Sequence, residues 1–278
     1  MCWGETVACP REPPRIDLSR GFREVLEVVE RYGIFLESLW IIPERDSSGS
    51  LRERYHGEFV AQVPRNAILR FTKPYELVLD PFVGYGTTLV ECLRLGRHGI
   101  GVEVEPRVAE VARRRISEEP NPYGVRVEVV VGDSRVVDFR RLLEERGFRE
   151  ADLVVAHPPY HDIVKYGDSP ANLCNAPSVG EFLRGYGEVL DNVLRVLKPG
   201  GYYVLVVGDK YEDGEWVPLG FYTMGETLRR GLKLKAICVK NVEETSAKRG
   251  LVNLWKHRVL RAGTYYFKHE YVMFFRKG

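Results

Sequence analysis

The feature that most constrains the fold is a regular alternation, from residue 75 onward, of short apolar segments with longer amphipathic ones. The apolar segments are rich in valine and isoleucine, which is typical of strands buried on both faces of a sheet. Strands that alternate with helices form a parallel sheet covered by helices. The sequence therefore predicts an α/β protein with a Rossmann-like, doubly wound sheet that binds its ligands at the carboxyl ends of the strands.

The boundaries of the elements follow from the same pattern. The predicted strands are residues 76–80, 99–105, 125–131, 152–157, 202–208 and 233–240, with a last pair within 264–275. The predicted helices are residues 17–35, a segment after Pro64, and residues 88–95, 107–117, 139–146, 181–197 and 222–230. Residues 43–50 are predicted to be an exposed loop. We predict an N-terminal extension over residues 1–55, with one or two helices, and one domain over residues 56–278 with a basic insertion at about 241–263.

The composition excludes several classes of protein. The 278 residues contain no apolar run of about 18 residues and no apolar signal core at the N-terminus, so neither a membrane partner nor secretion is predicted. The 5 cysteines form no Cys-x-x-Cys pair, so we predict no metal site and no disulfide framework. A cytoplasmic protein is the simplest interpretation. The net charge of +2 leaves a nucleic-acid partner open, and the oligomeric state is not indicated.

A glycine-containing turn, LVLDPFVGYGTTLVE, is the sharpest local motif. A buried strand ends at Asp80, the turn carries Gly84 and Gly86, and a helix begins near Thr87. Glycine lets the backbone approach a ligand closely, and the helix N-terminus presents free N–H groups. The third glycine of a dinucleotide motif is replaced by Leu89. Because a carboxylate at the strand end repels a pyrophosphate and attracts an ammonium group, a cofactor with a cationic amino-acid end is favoured over NAD.

Acidic residues also end the next two strands. Glu103, favoured over Glu105, is positioned to accept hydrogen bonds from the ribose hydroxyls of an adenosine. Asp133 follows the third strand and can accept a hydrogen bond from an adenine amino group. Each acid alone is as consistent with a solvated strand end as with a ligand contact. Three acids at three successive strand ends favour one common site.

Two motifs carry a resemblance to a known family. DPFVGYGTT and VVAHPPY resemble the first motif and the catalytic motif of the amino-methyltransferases that act on adenine N6 or cytosine N4 in nucleic acids. The resemblance covers residues 56–278 and implies a class I methyltransferase sheet. It also implies S-adenosylmethionine as the cofactor, bound by Asp80, Phe82, Gly84, Gly86, Thr87, Glu103 and Asp133. Upstream, residues 55–68 resemble a segment that closes over the cofactor, with Gln62, Pro64 and Arg65 as candidates; a plain linker into a helix is the alternative.

The HPPY tetrad is the predicted catalytic motif. An exocyclic base amine is a poor nucleophile because its lone pair is delocalised, and acceptors for its two N–H bonds free that lone pair. By resemblance the acceptors are the side chain of His157 and the carbonyl of Pro158, held by the rigid Pro159, and Tyr160 stacks on an extruded base. His157 stands where Asp, Asn or Ser is usual, which leaves the target base and the path of the proton open.

The predicted substrate contacts lie downstream of the tetrad. Lys165 and Tyr166 follow it directly, and the basic segment 247–261 contains Trp255, Lys256 and Arg258, a combination that suits a nucleic-acid strand. An amphipathic surface helix is an equal interpretation of that segment. Because no large target-recognition module follows the sheet, RNA is favoured over DNA, with cytosine N4 in a structured RNA as the preferred target.

Several alternatives stay open at this point. One is a site-specific DNA methyltransferase that acts on cytosine N4 or adenine N6. Another is a guanine-N2 tRNA methyltransferase, whose motifs are similar. A third is a cofactor-binding protein without catalysis that acts in assembly, although the intact PPY sequence argues against it.

Overall fold

The structure is a computed structural model that describes residues 12–242, 257 and 259–278. Its α-helices are α1 (Phe22–Tyr32), α2 (Gln62–Phe71), α3 (Thr87–Leu95), α4 (Pro106–Glu118), α5 (Phe139–Glu144), α6 (Val179–Leu194) and α7 (Leu219–Arg229). Its strands are β1 (Leu39–Trp40), β2 (Leu77–Asp80), β3 (His98–Glu103), β4 (Val127–Val131), β5 (Ala151–Ala156), β6 (Leu197–Val207), β7 (Lys210–Glu212), β8 (Glu215–Val217), β9 (Lys233–Asn241) and β10 (His269–Arg276). Within these residues, no helix has the length and apolar character that a membrane crossing requires.

The main sheet has 8 strands in the order β1-β9-β10-β6-β5-β2-β3-β4. Its neighbouring strands are parallel except at β10, which runs antiparallel to both β6 and β9. The predicted doubly wound sheet is therefore confirmed, with one reversed strand. Since β2, β3, β4 and β5 are parallel neighbours, the segments that follow them meet at one edge of the sheet.

Helices cover both faces of the sheet and bury two apolar clusters. One cluster contains Phe182 and Tyr186 of α6, and the other contains Ile68 of α2 and Leu89 of α3. Apolar burial on both faces explains why the central strands are almost uniformly apolar.

The segment before residue 56 contributes to the main sheet. Leu39 and Trp40 pair in parallel with β9, and the Ile42 N–H donates to Asn241 Oδ1 at 2.7 Å. The Trp40 side chain is fully buried and stacks on Phe35 with ring centroids 5.1 Å apart. Residues before the predicted boundary at residue 55 therefore pack against the main sheet.

Three sequence-based expectations are wrong. The predicted last pair of strands is a single strand, β10, which lies between β6 and β9 and pairs with both. The helix predicted over 181–197 ends at Leu194, and β6 begins at Leu197 because Ala151 of β5 pairs with it there. The loop 43–50 is not wholly exposed: Ser50 is buried, since its N–H donates to Glu119 Oε1 at 2.6 Å.

Candidate active site

A cleft opens where the parallel strands end. Including its open mouth it measures about 790 Å³. Its walls come from the glycine loop, the ends of β3 and β4, the tetrad, and two further segments around residues 57–59 and 166–173. The sequence-predicted residues that line it are Phe82, Gly84, Thr87, Glu103, Asp133, His157, Pro159 and Tyr166.

The glycine loop forms one wall with its backbone. Gly84 and Gly86 have φ values of 51° and 87°, which glycine adopts without the strain that a side chain would cause. A Cβ on Gly86 would lie 3.1 Å from Ala112 Cβ, so this glycine also allows the loop to pack on α4. Thr87 begins α3, whose first N–H groups are oriented toward the loop.

Asp80 lies behind the glycine loop rather than in the cleft. Its side chain is fully buried and is absent from the cleft lining. Oδ1 accepts a hydrogen bond from the Phe82 N–H at 2.9 Å, whereas Oδ2 has none from any described residue. The Thr88 hydroxyl lies near enough to favour the ionised form but falls short of hydrogen-bond geometry. Burial raises the pKa of Asp80 to about 7. The cleft lining itself does not include this carboxyl group.

Glu103 has the geometry predicted for a ribose contact. Its carboxylate lines the cleft and is oriented by two backbone donors, the N–H groups of Gly84 and Glu105, each at 3.0 Å. Burial raises the pKa of Glu103, and these N–H groups oppose that effect. Each carboxylate oxygen keeps a further lone pair for a ligand hydroxyl.

Asp133 lines the same cleft and forms a two-point ion pair with Arg135. The Arg135 Nε and Nη2 atoms lie 3.0 Å and 2.7 Å from Asp133 Oδ1 and Oδ2. Such a bidentate pair fixes the orientation of the carboxylate. Arg135 also lines the cleft, so the wall that was predicted to be acidic contains a cation as well.

The HPPY tetrad follows β5, with His157 and Pro159 in the cleft. His157 Nε2 lies 3.0 Å from the Tyr160 hydroxyl, and its ring centroid is 4.8 Å from that of Phe59. Burial lowers the pKa of His157 to about 4, so the imidazole is neutral at pH 7. Pro158 is buried.

Tyr160, the predicted stacking platform for an extruded base, is not among the residues that line the cleft. Its ring packs over Gly208, where a Cβ would lie 2.8 Å from Tyr160 Cε2. Its hydroxyl is bound to His157. In this conformation Tyr160 supports the histidine.

The upstream closing segment reaches the cleft through residues other than those predicted. Gln62 donates from Nε2 to the Glu44 carbonyl at 2.8 Å, and Pro64 is buried within α2. Gly57, Glu58 and Phe59 line the cleft instead. Gly57 has a φ of 80°, which favours glycine. The glycine itself is therefore a weak sequence signal for a turn at this position.

Two of the predicted substrate contacts lie within the described residues, and of these Tyr166 is brought to the cleft. Its hydroxyl donates to the Gly57 carbonyl at 3.4 Å and so joins the two segments over the cleft. Lys165 is exposed and pairs with Asp168 at 2.5 Å. The remaining candidates, Trp255, Lys256 and Arg258, lie outside the described residues.

The loop after the tetrad supplies lining residues that the sequence analysis missed, including Asn172 and Leu173. Glu105 anchors this loop, because its Oε1 accepts from the Ser169 N–H at 3.2 Å and from Asn172 Nδ2 at 3.0 Å. No local sequence pattern identifies these residues, since their position depends on a contact between distant loops.

A nearby group of possible metal ligands is already neutralised by a lysine. His161, Asp162 and Glu212 offer ligand atoms within 4.8 Å of one another. The buried Lys210 ammonium lies 3.0 Å from His161 Nδ1, 2.5 Å from Asp162 Oδ1 and 3.4 Å from Glu212 Oε1. This cluster therefore ties the loop after the tetrad to β7.

Known proteins resemble this chain in sequence and in fold. The chain matches the DNA methylase family over residues 16–114. It is 41% identical over 71 residues to the type II methyltransferase M2.DpnII of Streptococcus pneumoniae, covering 24% of this chain and 26% of that protein. It is 30% identical over 133 residues to the type II methyltransferase M.Cfr9I of Citrobacter freundii, covering 43% of this chain and 44% of that protein. These alignments span less than half of either relative.

The fold has a counterpart among solved structures. The structure of TrmN from Thermus thermophilus superposes with a TM-score of 0.50 at 17% identity, covering 79% of this chain and 49% of that chain. This likeness concerns the fold, which is the Rossmann-like class I methyltransferase sheet predicted from the sequence. These matches support the N4-cytosine/N6-adenine amino-methyltransferase family that the two sequence motifs resemble. That assignment also confirms the predicted cofactor, S-adenosylmethionine.

Proposed function

We propose that the protein methylates the exocyclic amine of a nucleic-acid base. The observation that carries this proposal is the shared cleft, in which Glu103 and Asp133 face the same space as His157 and Pro159. Two carboxylates at neighbouring strand ends suit the ribose hydroxyls and the adenine amine of the cofactor. The tetrad supplies the polar groups that an amine substrate requires beside it.

The fit of S-adenosylmethionine is supported by the glycine loop and by Glu103. Gly84 approaches the cleft without a side chain, and its N–H orients a carboxylate that retains free lone pairs. When bound, the cofactor supplies an electrophilic methyl group on a sulfonium. The protein contributes chiefly by holding the amine and this methyl group in line.

The proposed role of His157 is to accept a hydrogen bond from the substrate amine. Its low pKa keeps the imidazole neutral at pH 7 and leaves one ring nitrogen as an acceptor. The methylated amine is cationic until it releases a proton. Because such a protonated aromatic amine is a strong acid, even a weakly basic imidazole can accept that proton and transfer it to solvent.

We favour DNA as the substrate, because the matching family is described as DNA methylase and both curated relatives are named type II methyltransferases. Methylation of structured RNA at cytosine N4, the expectation from the sequence, is the alternative. The test is transfer of a labelled methyl group from S-adenosylmethionine to unmethylated plasmid DNA, to ribosomal subunits and to tRNA, followed by mass spectrometry of the nucleosides.

We expect N4-methylcytosine or N6-methyladenine from the DNA. Transfer should be lost in His157→Ala and retained in the surface variant Arg141→Ala, whose exposed side chain pairs with Glu145 just after the end of α5. Label in RNA alone would overturn the choice of DNA, and N2-methylguanosine would overturn the assignment of the base. Label in no nucleic acid would overturn the proposed function.

A further inference from the structure

The ion pair of Asp133 and Arg135 on the wall of the cleft uses the whole carboxylate. Both residues follow β4 and line the cleft. Asp133 Oδ1 accepts from the backbone N–H of Arg135 at 2.9 Å and from its Nε at 3.0 Å. Asp133 Oδ2 accepts from Nε at 3.0 Å and from Nη2 at 2.7 Å. Because a carboxylate offers about four acceptor sites, this one arginine engages all of them.

The neighbouring carboxylate of the cleft, that of Glu103, is a different kind of acceptor. Each of its oxygens accepts a backbone N–H, from Gly84 or from Glu105, and keeps a further acceptor site. Glu103 can therefore bind ligand hydroxyl groups as it stands. Asp133 can accept a purine amine only after Arg135 gives up one of its hydrogen bonds.

The backbone beside Asp133 is held in place, so this exchange falls to the arginine side chain. Ser134 Oγ donates to the Pro81 carbonyl at 2.7 Å, and Asn192 Nδ2 of α6 donates to the Ser134 carbonyl at 3.0 Å. The Arg135 side chain is 25% exposed, which leaves one side of it open for rotation. Its Nη1 group takes no part in the pair with Asp133 and can donate to another acceptor at the same wall.

We propose that Arg135 is a specificity-determining residue that competes with the purine amine of the cofactor for Asp133. That the purine lies at this wall rests on the proposed function. Adenine presents an N–H donor at its position 6, which suits a carboxylate and not a guanidinium. A 6-oxopurine presents an acceptor there, which suits the guanidinium and is repelled by the carboxylate. Arg135 therefore weakens the binding of the adenine ligand and strengthens the binding of its 6-oxo analogue.

Calorimetry with two ligands tests this competition: S-adenosylhomocysteine, and S-inosylhomocysteine, in which an oxygen replaces the purine amine. In Arg135→Leu the first ligand should bind about 2- to 5-fold more tightly, as expected when a partly exposed ion pair no longer competes with it. The second ligand should bind at least about 10-fold more weakly, because it loses a charge-assisted hydrogen bond. Arg135→Lys keeps a cationic donor, so it should bind the 6-oxo ligand more tightly than Arg135→Leu does.

The matched control is Arg230→Leu, which removes a similar two-point ion pair outside the cleft lining. Arg230 Nε and Nη2 lie 2.7 Å and 3.0 Å from the carboxylate oxygens of Asp191. Both affinities should stay within about twofold of the wild-type values in this variant, because the pair is distant from the ligand.

The direction of the two changes separates the possible outcomes. A general loss of structure in Arg135→Leu would weaken both ligands, so changes in the same direction, or no change, would overturn the role of Arg135. Opposite changes without methyl transfer to any nucleic acid would refute the proposed function alone. A wild-type protein that binds neither ligand would overturn both.

Discussion

Replacement of Asp80 by asparagine should make the ligand-free protein more stable at alkaline pH. The Asp80 side chain is fully buried, and one of its oxygens has no hydrogen bond from a described residue. Asparagine has the same shape, can accept from the Phe82 N–H as Oδ1 now does, and offers an NH₂ group to the Thr88 hydroxyl. It therefore removes a buried charge without leaving a cavity.

The pKa of Asp80 determines the size and the sign of the effect. Burial raises this pKa from 3.8 to about 7, so the unfolded chain ionises at lower pH than the folded protein. Below about pH 4 the carboxyl group is protonated in both the folded and the unfolded state and does not lower the free energy of unfolding. Stability then falls as the pH rises to 7, and above pH 7 the full cost is about 4 kcal/mol at 1.36 kcal/mol per pKa unit.

Urea unfolding at pH 5 and pH 8.5 measures this cost. The advantage of Asp80→Asn over the wild-type protein should grow by about 3 kcal/mol between these pH values. The control is Asp191→Asn, an exposed carboxylate that pairs with Arg230 at 2.7 Å; it should show no comparable growth. An advantage of Asp80→Asn that is the same at both pH values would refute the reasoning.

Three further variants test the site. Glu103→Gln should weaken S-adenosylhomocysteine binding by about 10- to 100-fold in calorimetry, since it loses charge-assisted hydrogen bonds; unchanged affinity would exclude a ribose contact. Gly57→Ala should lower the free energy of unfolding by about 1–3 kcal/mol, because a Cβ at this φ of 80° would lie 1.8 Å from the Tyr166 hydroxyl; a neutral effect in urea would contradict it. Because the pKa of His157 is lowered to about 4, the histidine takes up a proton more readily in the unfolded chain. The free energy of unfolding should therefore fall by up to about 3 kcal/mol as the pH falls from 6.5 to 4. His157→Asn should lack this loss. If the free energy of unfolding changed equally with pH in both proteins, the lowered pKa of His157 would be contradicted.

Most of the sheet was predictable because apolar strands alternate with helices, and each predicted central strand lies within a few residues of an observed one. The hairpin of β7 and β8 was missed although its signal is present. Asp213 and Gly214 join these strands with φ values of 50° and 85°, as in a two-residue hairpin turn that favours Asp-Gly. Strand β1 has no comparable signal, since its 2 residues form a strand only by pairing with distant β9.

The location of the site was predictable in part. His157 was identified by the resemblance of HPPY to a catalytic motif, and Glu103 because parallel strands end at the same edge of a sheet. The same rule named Asp80, but it does not specify side-chain direction, and Asp80 points away from the cleft lining. Phe59 and Asn172 were missed because loops carry them into the cleft only after distant parts of the chain have folded.

The pairing of β1 with β9 has a consequence for synthesis on the ribosome. Ile42 is bound to Asn241, 199 residues further along the chain. Trp40 and Ile42, both buried in the finished protein, leave the ribosome before Asn241 and cannot reach their place until those 199 further residues have been made. Throughout elongation this apolar stretch is exposed to water and to neighbouring nascent chains. A holding chaperone should therefore raise the yield of the native protein, and charged substitutions at the outward-facing Leu39 should reduce aggregation during expression.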